Sequence, residues 1–147
     1  MNELAGNDLA GYFFEDLSVG MTASYGKTVT EADILMYAGV SGDTNPLHLN
    51  REFAAQTPFG ECIAHGMLSA GFISTVVGTK LPGPGGIYIS QNLRFKAPVK
   101  VGDTVMARIE ITELIPEKKR AMFKTQCLAG DTVVIDGEAQ IMVPSRD

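Results

Sequence analysis

Several things are scarce in this chain, and each scarcity closes a door. It has only two cysteines, Cys62 and Cys127, which cannot build a disulfide framework and fit a reducing compartment such as the cytoplasm. No apolar run reaches the ~20 residues needed to cross a bilayer; the longest, Met67 to Val77, is too short. The start, Met1-Asn2-Glu3-Leu4-Ala5, has neither the basic region nor the apolar run of a signal peptide, so a soluble cytoplasmic protein without membrane attachment is expected. Positive charge is in deficit: the net charge is −5 over 147 residues. No Lys/Arg stripe interleaves with aromatics, which argues against a nucleic-acid partner. The longest basic run, Lys118-Lys119-Arg120, sits beside Glu117 and reads as a solvated turn. There is no Gly-x-Ser-x-Gly elbow, so a serine hydrolase is not indicated. Pro82-Gly83-Pro84-Gly85-Gly86 lacks the Gly-Lys-Ser/Thr ending of a phosphate loop. Linkers, repeats and low-complexity tracts are missing too, so residues 1–147 read as one domain.

What is present divides into two halves. From residue 86 onward the pattern alternates with period 2. Ile87, Ile89, Leu93 and Phe95 fall on one face of a half-buried strand that Pro98 ends. Val105, Ala107, Ile109 and Ile111 form the next. Ala121 to Leu128 makes a third, and Val133, Ile135, Ala139, Ile141 and Val143 line a fourth. Short turns between consecutive strands predict an antiparallel meander. Met21 to Val29 adds another strand. Thr30-Glu31-Ala32-Asp33 is a capping box that starts a short helix running to about Ala38. Asn50 is placed to cap a second short helix. The segment from His65-Gly66 to Thr79 is apolar nearly all round, the signature of a buried helix. One buried helix and about five antiparallel strands give an α+β domain with its sheet wrapped around the helix. Such a sheet leaves an edge strand exposed, which favours pairing across a two-fold axis.

The chemistry concentrates at Ser41-Gly42-Asp43-Thr44-Asn45-Pro46-Leu47-His48. Gly42 favours a turn and Asn45-Pro46 turns the backbone away from helix, so this stretch is expected to be irregular. Asp43 and His48 can converge there, as general acid/base catalysis requires. His48 is one of only two histidines in the chain. Taken singly, an Asp and a His are more often a turn-former and a surface residue. Both lying in one loop just before a buried helix favours function. Gly66 opens that helix and could offer its N–H to an oxyanion, or simply permit close packing; local sequence leaves these even. His65 reads as part of a buried polar network. Ser69, Ser74 and Thr75 read as helix hydroxyls bonded to carbonyls one turn earlier. Asp43, His48, Cys62 and His65 could be assembled into a metal site, but no second closely spaced Cys/His pair supports it.

Tyr37-Ala38-Gly39-Val40-Ser41-Gly42-Asp43-Thr44-Asn45-Pro46-Leu47-His48, with Ala54 following, resembles the signature of the (R)-specific enoyl-CoA hydratases of the MaoC-like group. The likeness continues through Ile63-Ala64-His65-Gly66-Met67-Leu68, Leu81-Pro82-Gly83, Gln91 to Val99 and Val101-Gly102-Asp103. It covers roughly residues 13–143, leaving residues 1–12 as an N-terminal extension. The chain is most similar to short single-domain bacterial members that supply (R)-3-hydroxyacyl-CoA for polyhydroxyalkanoate synthesis. The resemblance implies a hotdog fold, working as a homodimer or a dimer of dimers. It implies Asp43 and His48 as a catalytic dyad, Gly66 as the oxyanion-hole donor, and Asn45 and Ser74 as supports, Ser74 through a hydrogen bond to the aspartate. The acyl and coenzyme A portions would meet Phe72, Val76, Val77, Lys80, Arg94 and Lys96. The implied reaction, hydration of trans-2-enoyl-CoA to (R)-3-hydroxyacyl-CoA, needs no metal or redox cofactor; coenzyme A enters as part of the substrate. Rival readings are a dehydratase acting on acyl carrier protein thioesters, a hotdog thioesterase, and a non-catalytic acyl-CoA-binding domain. The thioesterase is disfavoured because Gly66 to Thr79 contains no Asp or Glu.

Overall fold

Period-2 alternation builds the sheet. In β3 (Thr104–Ile115), Val105, Ala107, Ile109 and Ile111 are all fully buried while the residues between them face solvent. The computed structural model describes residues 3–147, so the first two residues of the 1–12 extension lie outside it. The remaining strands are β1 (Thr22–Thr28), β2 (Ile87–Phe95), β4 (Arg120–Ala129) and β5 (Thr132–Met142). They form one antiparallel sheet in the order β1-β3-β4-β5-β2.

The meander holds for β3, β4 and β5. β2 departs from it, pairing with β5 and not with the β3 that follows it. Residues 96–103 make that possible: this connection is too long for a tight hairpin and leads the chain across the end of the sheet. Along it, Lys96 N–H bonds Val134 O, and Val99 O accepts from Ala64 N–H. β2 is therefore an edge strand. Its expected half-buried face is mostly open, with Ile87, Ile89 and Phe95 at 52%, 39% and 54% exposure. Only Leu93 of that set packs on the core. A bulge between Tyr88 and Ser90 also breaks the alternation on which the expectation relied. A second irregularity, between Cys127 and Leu128, turns Val134 inward where Val133 was expected.

The capping box forms as read: Thr30 Oγ1 accepts from Asp33 N–H, and Asp33 Oδ2 accepts from Thr30 N–H. The helix it starts, α1 (Glu31–Ser41), runs past Ala38 and stops at Gly42, whose φ of 80° is left-handed. The segment that follows is not wholly irregular. Asn45 stays extended (ψ 126°), as a residue before proline should, but Pro46 opens a short helix, α2 (Pro46–Leu49). Proline suits the first helical position, because the N–H it lacks would have had no partner. Asn50 then caps α3 (Arg51–Ala55) by accepting from Phe53 N–H.

The buried helix, α4 (Gly66–Thr79), lies on the sheet. Ile73, Val76 and Val77 are sealed against the strands, each such side chain contributing about 1.5–3 kcal/mol by leaving water. The helix is not buried all round, however. Met67, Gly71, Ser74 and Gly78 face outward, since a single sheet covers only one side of a helix.

Candidate active site

The turn after α1 is held by a chain of short hydrogen bonds. Ser41 Oγ donates to Tyr37 O at 2.6 Å and accepts from Asp43 N–H at 3.1 Å. Asp43 Oδ1 accepts from Asn45 N–H at 3.3 Å, and Asn45 Oδ1 from Leu47 N–H at 3.0 Å, which caps α2. This sequence of Asx-type turns places Asp43 and His48 on one side of the bend.

Two further bonds tie the bend to the start of α4. His48 Nδ1 donates to Ile63 O at 2.7 Å, and His65 Nε2 donates to Asp43 O at 2.9 Å. A carbonyl only accepts, so each of these nitrogens carries the proton. In the neutral ring, His48 Nε2 and His65 Nδ1 are then the acceptors. The two imidazoles lie close, centroids 3.9 Å apart and planes tilted by 33°, with Tyr37 4.6 Å from His65. One oxygen or nitrogen from each of Asp43, His48 and His65 falls within 4.8 Å of the others. These three could each offer a ligand to a cation; Cys62 is not among them.

Gly66 is the first residue of α4, where N–H groups have no intrahelical partner and the helix dipole is positive. No acidic residue in the first turn offsets that charge. A Cβ at Gly66 would lie 2.5 Å from the Phe95 ring, so only glycine lets the aromatic sit this close. Beside these groups opens a cavity of about 420 Å³, bounded by His48, Phe59, Gly66 and Phe95 and reaching inward to Ser69 and Ile135. A corner where Asp43, His48 and His65 converge thus sits next to an apolar cavity that His48, His65 and Gly66 border.

The pattern of the MaoC-like domain family matches residues 18–137. The chain belongs to the MaoC-like family. Over 97% of its length it is 54% identical to the (R)-specific enoyl-CoA hydratase of Rhodospirillum rubrum, covering 99% of that protein. It is 51% identical to the 3-hydroxybutyryl-CoA dehydratase of Methylorubrum extorquens, over 95% of this chain and 89% of the other. The solved (R)-hydratase from A. caviae involved in PHA biosynthesis superposes with a TM-score of 0.85 at 42% identity, over 88% of this chain and 99% of that one. The fold is accordingly the hotdog, an antiparallel five-stranded sheet about α4.

Within this MaoC-like domain the sequence candidates separate. Asp43 and His48 converge with His65, His48 and Gly66 line the cavity, and Asn45 supports the bend through its cap on α2. Ser74 lies on the open face of α4, and among the described residues the hydrogen bond to the Asp43 carboxylate comes from Asn45, not from Ser74. Phe72, Val76 and Val77 point into the core between α4 and the sheet, Phe72 edge-on to Tyr25, and not into the cavity. Helical spacing marks them as apolar but cannot say which side the sheet covers. Lys80 reaches Ser24 O at 2.6 Å, Arg94 is exposed on β2, and Lys96 borders the cavity 3.8 Å from Asp136. Thr75 does bond back to Gly71 O, but Ser69 Oγ finds no partner among the described residues and faces the cavity. Ser41, Ile63 and Phe59 also belong to the site, in parts that the motifs do not assign. Ile63 acts through its backbone carbonyl, which no side-chain motif can reveal.

Proposed function

We propose that this MaoC-like domain is an (R)-specific enoyl-CoA hydratase, adding water reversibly to trans-2-enoyl-CoA to give (R)-3-hydroxyacyl-CoA, with Asp43 and His48 as its dyad. One observation carries the reading: Asp43, His48 and His65 each bring a side-chain oxygen or nitrogen within 4.8 Å of the others, and His48 lines one cavity with Gly66, the first residue of α4.

The Gly66 N–H and the α4 dipole polarise the thioester carbonyl and stabilise negative charge on its oxygen. The β-carbon becomes electrophilic. A water molecule gives one O–H to Asp43 and the other to His48 Nε2, leaving an oxygen lone pair for the alkene. As the C–O bond forms at the β-carbon, the π electrons move toward the thioester oxygen and one water proton passes to the dyad. In its starting tautomer His48 has no proton on Nε2, so the dyad donates only after it has accepted. The proton then goes to the α-carbon from the same side, the carbonyl re-forms, and the addition is syn. If His48 is the carrier, its transient positive charge is met by the Ile63 carbonyl at Nδ1. Hydrogen and hydroxide are added with no net electron transfer, so the reaction calls for no redox cofactor.

The open edge of β2 and the exposed Ile87, Ile89 and Phe95 support a homodimer, or a dimer of dimers, paired across that edge. The unbridged Cys62 and Cys127 suit the cytoplasm. Among the described residues no helix is long and apolar enough to cross a membrane.

The test is loss of the enoyl absorbance of crotonyl-CoA, with the product captured by an (R)-specific 3-hydroxyacyl-CoA dehydrogenase. Unchanged absorbance across several chain lengths would overturn the proposal. Release of free thiol would indicate a thioesterase instead.

A further inference from the structure

The Phe95 ring occupies the space that a side chain at position 66 would need. A Cβ placed on Gly66 would stand 2.5 Å from Cδ1 and 2.6 Å from Cε1 of that ring. The ring is carried on fixed backbone. Phe95 is the last residue of β2, in register with Ile135, and the next residue, Lys96, donates its N–H to Val134 O. Val134 and Ile135 are themselves buried. Phe95, Gly66 and His48 all border the apolar cavity. Phe95 thus walls that cavity at the end where α4 begins.

A thioester carbonyl carbon carries two substituents, sulfur and the α-carbon. With the carbonyl oxygen on the Gly66 N–H, the sulfur leads out toward coenzyme A. The α-carbon leads into the cavity that Gly66 and Phe95 share. We propose that Phe95 determines specificity at the α-carbon, admitting enoyl thioesters that carry hydrogen there and discriminating against 2-methyl-branched ones. The alkene and the carbonyl are conjugated, so an α-methyl group is held in the plane of the enoyl group and cannot rotate aside. It competes with the Phe95 ring for the space beside Gly66. The ring is half-exposed and can be driven out, but it then gives up its packing on Gly66. The penalty is that of one misfit methyl in an apolar pocket, about 10–200-fold in kcat/KM, and not complete exclusion.

The inference rests on the hydratase reading, through the seat of the carbonyl on Gly66, and the experiment separates the two. Values of kcat/KM are measured from loss of enoyl absorbance for crotonyl-, trans-2-methylcrotonyl- and trans-2-hexenoyl-CoA. The proteins compared are the wild type, Phe95→Ala, Phe95→Leu and Phe95→Tyr. Phe95→Ala should raise the 2-methylcrotonyl-to-crotonyl ratio about tenfold or more, with the hexenoyl-to-crotonyl ratio near its wild-type value. The intrinsic difference in reactivity between the alkenes is the same for every variant and cancels. Phe95→Tyr keeps the ring and should keep the wild-type ratio. A general loss of structure, or of assembly at the β2 edge, lowers all three substrates together and raises neither ratio. An unchanged ratio in Phe95→Ala overturns the proposal. So does an equal rise for hexenoyl-CoA, which would make Phe95 a general limit on cavity size. If Phe95→Ala does not fold, Phe95→Leu is read in the same way. A wild type that hydrates 2-methylcrotonyl-CoA as well as crotonyl-CoA also overturns it. Inactivity of the wild type on every enoyl-CoA refutes the hydratase reading, and this inference falls with it.

Discussion

His48 gives its Nδ1 proton to the backbone carbonyl of Ile63 at 2.7 Å, and that bond decides which edge of the ring is left for chemistry. The carbonyl holds the ring orientation and leaves Nε2 as the acceptor. His48→Asn can retain a donor near Ile63 but has no equivalent of Nε2. It should therefore lose about as much turnover as His48→Ala, ~10²–10⁴-fold, the usual contribution of an acid/base group. Asp43→Asn should fall in the same range while unfolding at nearly the wild-type temperature, because Asp43 is exposed. Steady-state hydration rates and thermal melts check both. A His48→Asn variant with near-normal kcat would remove Nε2 from the mechanism.

Gly66 allows its N–H to be tested apart from its missing side chain. Proline is tolerated at the first position of a helix, and His65 before it already has φ −59° and ψ 135°, which a following proline accepts. Gly66→Pro removes the N–H and adds bulk; Gly66→Ala adds a Cβ and keeps the N–H. Both push on Phe95, which is half-exposed and can swing away. Gly66→Pro should fall ~10²–10³-fold below Gly66→Ala in kcat, the usual effect of losing one oxyanion donor. Equal rates in the two variants would mean that the N–H does not act.

Ser41 touches no substrate in this arrangement, but it is the strut of the bend, bonding Tyr37 O and Asp43 N–H at once. Ser41→Ala should lower kcat about 10- to 100-fold through a small displacement of Asp43, with KM little changed. Ser41→Thr should recover most of the loss. A KM effect of the same size as the kcat effect would point to general loosening in place of misplacement.

Acid stability should depend on Asp33. The Thr30 N–H, and after it the Lys27 ammonium 2.9 Å away, hold its pKa below the ordinary 3.8. The folded state thus prefers the carboxylate. Its contribution is complete above about pH 5 and is lost as the pH falls through 3.8 toward the lower folded value. Asp33→Asn should unfold at a lower temperature than the wild type near neutral pH, and the two melting curves should converge in strong acid. A difference that persists unchanged to pH 2 would contradict this assignment.

Much of the fold is legible in the sequence. The alternation of Val105, Ala107, Ile109 and Ile111 defines β3 because strand periodicity is local, and Thr30 with Asp33 marks the start of α1 because a cap is a contact between near neighbours. The order of strands could not be read this way. β2 lies beside β5 because of where residues 96–103 lead the chain, and turn length constrains adjacency only when the turn is short. The same limit applies to α4. Its composition says that it is buried, but only the sheet shows that Val76 and Val77 meet strands while Ser69 faces a cavity.

By itself, the sequence determined which groups are available: a carboxylate and an imidazole five positions apart, and a glycine where a helix begins. Turn and cap chemistry acts over a few residues, so that much is written locally. Tertiary structure decided what the groups can do. Ile63, distant from His48 in the chain, sets the imidazole tautomer through a backbone carbonyl. His65 ties the Asp43 bend to α4 through a backbone carbonyl and leaves its other nitrogen buried. Both relations depend on the loop being folded back onto the start of α4, and no spacing along the chain encodes them.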